Sequence, residues 1–346
     1  MRLALGLRDP GTEGVPADSS PSRPPALSRR LAFAAAVATP AAFLSYVEPL
    51  RGGALPDFSQ AWFGAVALLH GGNPYNLIGP GLVYNHDFHS IYPLTSSVVV
   101  LPLGLLPELA ATFVFVWIST ALFAYAMTRD GWHRLPVFLS SAFVIAARRG
   151  QWSPLLTAAY SLPWLAWTLP AKPNIGLAVF ASFSSKRMVK VAVFGGGLLC
   201  LVSLALLPTW PRDWLSHLNE ARHTAAPIMQ RGGFLVLLAL LRWRRPEARM
   251  LVALACIPQS MYWYDILPLF LIPATFRESL VLALVSSTGL IFEGFLLDDS
   301  NLLTLYRDFN SLIVAVAYLP ATIMVLRRPN VGAIPFLRKK LPERSG

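Results

Sequence analysis

RRLAFAAAVATPAAFLSYVEPL, residues 29–50, sets two arginines before a run whose only charged residue is Glu48. About 20 apolar residues are what an α-helix needs to cross the hydrocarbon core, where every backbone N–H and C=O must be satisfied within the helix. The run reads as a signal anchor rather than a cleaved signal peptide, because its leader is long and no Ala-x-Ala site closes it. Apolar segments then recur at 91–106, 108–127, 135–148, 152–169, 174–184, 189–208, 231–243, 250–264, 265–276, 278–297 and 310–326. Of the 346 residues, 55% are hydrophobic and only 14% charged, against about 25% charged in soluble domains. The predicted fold is therefore all-α: a polytopic transmembrane helical bundle of about twelve spans.

Charge gives this bundle a direction. Lys and Arg total 29 against 18 acidic residues, for a net charge of +11. They cluster between apolar runs, and no basic face with interleaved aromatics suggests nucleic acid. With the N-terminus in the cytoplasm, 21 of the 29 basic residues fall on the cytoplasmic side, including Arg148 and Arg149. The chain then divides into a disordered cytoplasmic tail (1–28), a transmembrane domain (29–328) and a basic cytoplasmic tail (329–346). Cys200 and Cys256 both sit in apolar runs and read as small buried hydrophobes, not as a disulfide or metal pair.

Two sizeable extracytoplasmic loops follow from this arrangement, 51–90 and 209–230. Phe58, Ala61, Trp62, Ala65 and Leu69 keep helical spacing, which predicts a helix over 58–69. Trp210, Trp214, Leu215 and Leu218 share a face, which predicts a second amphipathic helix lying along the membrane. Gly71-Gly72-Asn73-Pro74-Tyr75 supplies turn chemistry between the first helix and the next segment.

Asp57 is the leading candidate for chemistry. It precedes the 58–69 helix, where its carboxylate could simply cap the backbone N–H groups. It could equally serve as a general base at the water–membrane boundary. His86, Asp87 and His89 lie in YNHDFHSIYP (84–93) and read as solvated loop residues or sugar hydrogen-bonders; H-D-x-H is too unspecific to assign a metal. Tyr92 reads as an interface anchor or a wall of a binding site. Asp265, in MYWYDILP (261–268), is an intramembrane carboxylate that could bind sugar hydroxyls or pair with Lys172 or Arg231, and Glu293 is a weaker case of the same kind.

An Asp-Phe before a helix, then GGNPYNL (71–77), IYPLTSSVVVLPLGLLP (91–107), GQWSPLLTAAY (150–160) and AKPNIGL (171–177), in that order, resembles glycosyltransferase family 87. These are GT-C enzymes related to polyprenol-phosphate-mannose-dependent α-mannosyltransferases. The likeness covers about residues 30–185. It departs from the family at Tyr92-Pro93-Leu94, where Tyr-Pro-Pro is usual, and at PQSMYWYDILP (258–268).

The resemblance implies a GT-C fold and a hexosyltransferase whose catalytic base is Asp57. The donor would be a polyprenyl-phosphate sugar, mannose by family, and the acceptor a lipid or glycan hydroxyl; the donor is a substrate, and no cofactor or metal is implied. The leaving phosphate needs cations, for which Lys172, Arg222, His223 and Arg231 are the candidates. His86, His89, Tyr92, Gln151 and Asp265 are the candidates for sugar or acceptor contacts. Lys172 could also be a snorkelling helix-end lysine. Gln151 belongs to the Gly-Gln pair marked by the family, yet the predicted topology puts it on the cytoplasmic side. The rival readings are a transporter or lipid flippase, and a non-catalytic membrane assembly factor.

Overall fold

Two long helices carry the architecture, α1 (Leu27–Leu50) and α5 (Glu108–Met127). The computed structural model describes residues 25–51, 55–220, 225–259, 262–296 and 310–334. Most of both predicted tails, together with Arg222 and His223, lie outside these. Among the described residues 72% are helical and almost none lies in a strand; Ile78–Gly79 and Tyr84–Asn85 form one short parallel pair. Among the described residues three helices are long and apolar enough to cross a membrane: Leu27–Leu50, Glu108–Met127 and Lys186–Leu206. Exposed Phe194, Leu198, Leu201 and Leu206 on the third, and Leu237, Leu238 and Leu241 on the 3₁₀ stretch Gly233–Arg242, make the exterior apolar. Ser, Thr and Gln side chains are buried within. This distribution suits a lipid exterior, since apolar side chains lose nothing against acyl chains, while buried hydroxyls such as those of Ser45, Ser119, Thr128 and Ser203 donate to backbone carbonyls.

α1 and α5 pack antiparallel. Arg30 Nη2 donates to the Tyr125 carbonyl at 2.7 Å, Trp117 Nε1 to Thr39 Oγ1 at 3.3 Å, and Phe43 meets Phe113 edge-on at 5.4 Å. Ala34, Ala38 and Ala42, four residues apart, are buried with Ser45 on one face of α1. Small residues at that spacing let helix backbones approach closely. Glu108, in the first turn of α5, complements the positive end of the helix and accepts from Ser59.

Antiparallel packing fixes which end of the bundle each segment reaches, and here the predicted topology needs correcting. α5 begins at the end where α1 finishes, so residues 91–106 do not cross. They form α4 (Leu94–Val99) and a 3₁₀ turn, Leu101–Leu105, packed on α2 (Phe58–Leu69). Trp62 Nε1 donates to the Leu103 and Leu106 carbonyls at 3.1 and 3.2 Å. Residues 152–169 are not one segment either. α7 (Ser153–Ala158) runs away from α2 to Ser161, whose carbonyl accepts from Arg129 just beyond α5. A 3₁₀ stretch, Pro163–Ala171, then brings the chain back.

Arg148 and Arg149 are therefore at the Asp57 end and not opposite to it. The Asp57 N–H donates to the Arg149 carbonyl at 2.9 Å, and Arg148 pairs with Glu48. α6 (Ser141–Arg148) supplies this approach, and Gly150 makes it possible. Gly150 has φ +60°, and a Cβ there would stand 3.0 Å from the Phe58 Cβ. At the opposite end Arg134 donates to the Leu271 carbonyl, Arg242 to Arg328, Arg249 to Ala181, and Arg328 to Ile272.

Candidate active site

α2 starts at Phe58, as its spacing predicts, but Asp57 does not cap it. Asp57 has helical backbone angles, and its side chain takes no capping bond. The carboxylate turns into the bundle and accepts from Gln151 Nε2, with the Tyr264 hydroxyl at 3.4 Å from the same oxygen. Gln151 Oε1 in turn accepts from Lys172 Nζ at 2.8 Å, and Lys172 lies 3.5 Å from Asp265 Oδ1. The ammonium also sits over the Tyr264 ring at 4.5 Å and 6.0 Å from the Tyr92 ring. Four distant stretches thus meet in one chain of contacts: carboxylate, amide, ammonium, carboxylate.

Local structure explains each placement. Gln151 follows the left-handed Gly150 at the end of α6. Lys172 ends the returning 3₁₀ stretch and precedes α8 (Pro173–Ala181), with Pro173 at the first helical position, where a missing N–H costs nothing. Gly176 allows α8 to lie against that stretch, because a Cβ would run into the Leu169 carbonyl oxygen. Asp265 sits in the first turn of the 3₁₀ stretch Trp263–Leu271 and accepts from the Tyr262 N–H at 3.3 Å.

Burial pushes the Asp57 carboxyl above its ordinary range; the Lys172 and Arg149 cations and the Gln151 hydrogen bond pull it partway back. A carboxylate in that state is a stronger base than one in water. Two acidic and two basic side chains share the site, so their charges offset one another.

Of the residues nominated from sequence, Asp57, Gln151, Lys172, Asp265 and Tyr92 converge. His86 joins them electrostatically, held by Gln60 of α2. His89 packs instead against His217 of α11 (Trp210–Glu220), ring centroids 5.2 Å apart, so the two loop histidines serve different neighbours. Arg231 is exposed at the same end of the bundle. Arg222 and His223 lie outside the described residues, as does the side chain of Glu293.

α11 is amphipathic, as its spacing predicts; its two tryptophans meet protein, while Leu215 of the same face is exposed. Trp210 is buried with Tyr75 and Leu94, Trp214 Nε1 donates to the Ile91 carbonyl at 2.9 Å, and Asp213 accepts from Asn73 at 3.0 Å. Asn73 also caps the short helix Pro74–Leu77 through the Tyr75 N–H, which explains the GGNPY turn.

Three contributors were missed in the sequence. Gln60 lies three residues after Asp57 on the same helix, a spacing that could have drawn attention. Tyr264 neighbours Asp265, and Arg149 neighbours the Gly-Gln pair; the wrong end assigned to that pair hid the arginine. The chain matches no protein-family model, no curated protein and no solved structure.

Proposed function

We propose that this chain is a membrane glycosyltransferase of GT-C type, similar to glycosyltransferase family 87, moving a sugar from a polyprenyl-phosphate donor to an acceptor hydroxyl. The observation that carries the reading is the orientation of Asp57: its carboxylate forgoes the helix cap and is held, desolvated, by Gln151 and Tyr264. In the reaction Asp57 takes the acceptor O–H proton as the oxygen attacks the anomeric carbon. The bond from that carbon to the phosphate oxygen breaks, configuration inverts, and polyprenyl phosphate leaves with the electron pair.

Lys172 and Arg149 are the cations beside this point, placed to offset charge developing on the phosphate. Lys172 also orients Gln151, and through it Asp57. Among the described residues, Arg51, Arg148, Arg149, Lys172, Arg212 and Arg231 lie at the site end, and the other fourteen Lys and Arg lie opposite. That imbalance supports an extracytoplasmic site in a multi-pass protein of the cell membrane. The exposed apolar side chains supply the surface along which a lipid-borne donor would arrive.

The test is the purified protein in lipid nanodiscs, given polyprenyl-phosphate mannose and a lipid extract as acceptor, with glycolipid products identified by mass. Asp57→Asn should lower transfer by about 10²–10⁴-fold, the range for loss of a general base, while the donor still binds. Transfer at the wild-type rate by Asp57→Asn removes the mechanism. Movement of a lipid or solute across vesicles with no glycosylated product would instead establish the transporter reading.

A further inference from the structure

Gln60 and His86 form a hydrogen-bond chain whose direction is fixed at one end. The Ile91 backbone N–H can only donate, and it does so to Gln60 Oε1 at 3.2 Å. The other end of the Gln60 amide is therefore the NH₂ group, and it faces His86 Nδ1 at 3.3 Å. The Phe88 N–H reaches the same Nδ1 at 3.3 Å. With two donors aimed at it, Nδ1 must offer its lone pair. The ring is then neutral and carries its proton on Nε2. Burial also lowers the affinity of this histidine for a second proton, the nearby Asp57 and Asp87 notwithstanding.

His86 is only 6% exposed, and its Nε2 is buried with no hydrogen-bond partner among the described residues. A buried N–H left unpaired is destabilising, and here the surroundings enforce it by spending Nδ1 on two donors. Such an arrangement is stable to keep only if something else completes the bond. The ring lies where it interacts electrostatically with Asp57, on the stretch that α2 holds through Gln60, three residues beyond that carboxylate.

We propose that His86 is a substrate contact: its Nε2–H, fixed by Gln60 and the Phe88 amide, donates to an oxygen of the glycosyl donor bound at Asp57. Gln60 is then a positioning residue that sets the tautomer. The inference rests on the glycosyltransferase reading for the identity of the donor, and on the contacts above for everything else. The oxygen belongs to the sugar or to the phosphate, which the two probes below separate.

The experiment combines two readouts on the full chain in nanodiscs. Ring nitrogen-15 shifts of histidine-labelled protein, with the His86 signals assigned by the loss in His86→Gln, report which nitrogen carries the proton. A neutral Nε2–H form is expected; a proton on Nδ1 in the wild type overturns the proposal. Gln60→Glu is isosteric but presents an acceptor to Nδ1, so it should move a proton onto Nδ1 and lower transfer. An unchanged nitrogen spectrum in that variant also overturns it.

The second readout is binding of polyprenyl-phosphate mannose and of polyprenyl phosphate alone. His86→Asn keeps an acceptor for Gln60 and Phe88 but has no group at the Nε2 position, whereas His86→Gln restores a donor there. His86→Asn should weaken binding of the mannose donor about tenfold, the value of one hydrogen bond of about 1.4 kcal/mol, with His86→Gln within about threefold of wild type. Weakening of both probes assigns the oxygen to phosphate; weakening of the mannose probe alone assigns it to the sugar. Equal binding by wild type and His86→Asn overturns the inference while leaving Asp57 untouched. Failure of wild type to bind either probe, with the Nε2–H form present, overturns the glycosyltransferase reading and the inference with it.

Discussion

Between Leu27 and Leu50 the chain runs as one helix against the single helix Glu108–Met127, whereas between Gly150 and Lys172 it turns, descends, turns and returns. The first region is joined by small residues, edge-on aromatics and one arginine on a carbonyl. The second ends in Gln151 and Lys172, side chains with no reason to be buried except each other and two aspartates. Long helices satisfy their own backbone and make a scaffold that tolerates lipid. Short broken segments stop where their ends can deliver polar groups to one place, as non-helical backbone at membrane depth requires protein around it.

If that contrast is right, the two regions should fail differently. Lys172→Met leaves Asp265 and Asp57 without their shared cation, and breaking a buried pair by removing one partner costs about 3–5 kcal/mol. Thermal unfolding in detergent should show a loss of that size, with transfer abolished; a variant as stable as wild type would mean the pair contributes little. Ala38→Leu overfills the α1–α5 side and should cost about 1–3 kcal/mol. Because Ala38 is remote from Asp57, the donor KM should stay at its wild-type value.

Gly150→Ala forces a side chain into a left-handed position against Phe58, which costs about 1–3 kcal/mol, and it should do the reverse of Ala38→Leu in kinetics. Gln151 would be displaced from Asp57, so kcat should fall by more than stability alone accounts for. The mildest perturbation is pH. Asp57 must be ionised to accept a proton, and its pKa lies above the ordinary 3.8. Transfer should therefore fall about tenfold per pH unit on the acid side of that raised value. An acid limb at or below 3.8 would show Asp57 to be ordinarily solvated.

The same contrast explains what could be read in advance. The long runs 31–50, 108–127 and 189–208 were legible because length and hydropathy decide them together. Segments of 5 to 9 residues, such as Leu101–Leu105 and Pro163–Ala171, have the same apolar pattern whether they cross or turn back. Charge could not break the tie. Moving Arg148 and Arg149 to the Asp57 end sends Arg129 and Arg134 the other way, so the bias that supported the first topology supports the second equally well.

Sequence alone settled that the chain is an apolar, helical, membrane-suited protein; it singled out Asp57, Lys172 and Asp265 as charged residues among apolar ones, and Gln151 only through the family resemblance. Hydropathy and turn chemistry are properties of a segment and survive without its neighbours. Which end each short segment reaches, that the Asp57 carboxylate leaves its cap for Gln151, and that Gln60 fixes the His86 proton were decided only by the tertiary structure. Those are contacts between residues 26 to 207 positions apart, and a hydrogen bond's direction depends on which donor the fold brings within about 3 Å.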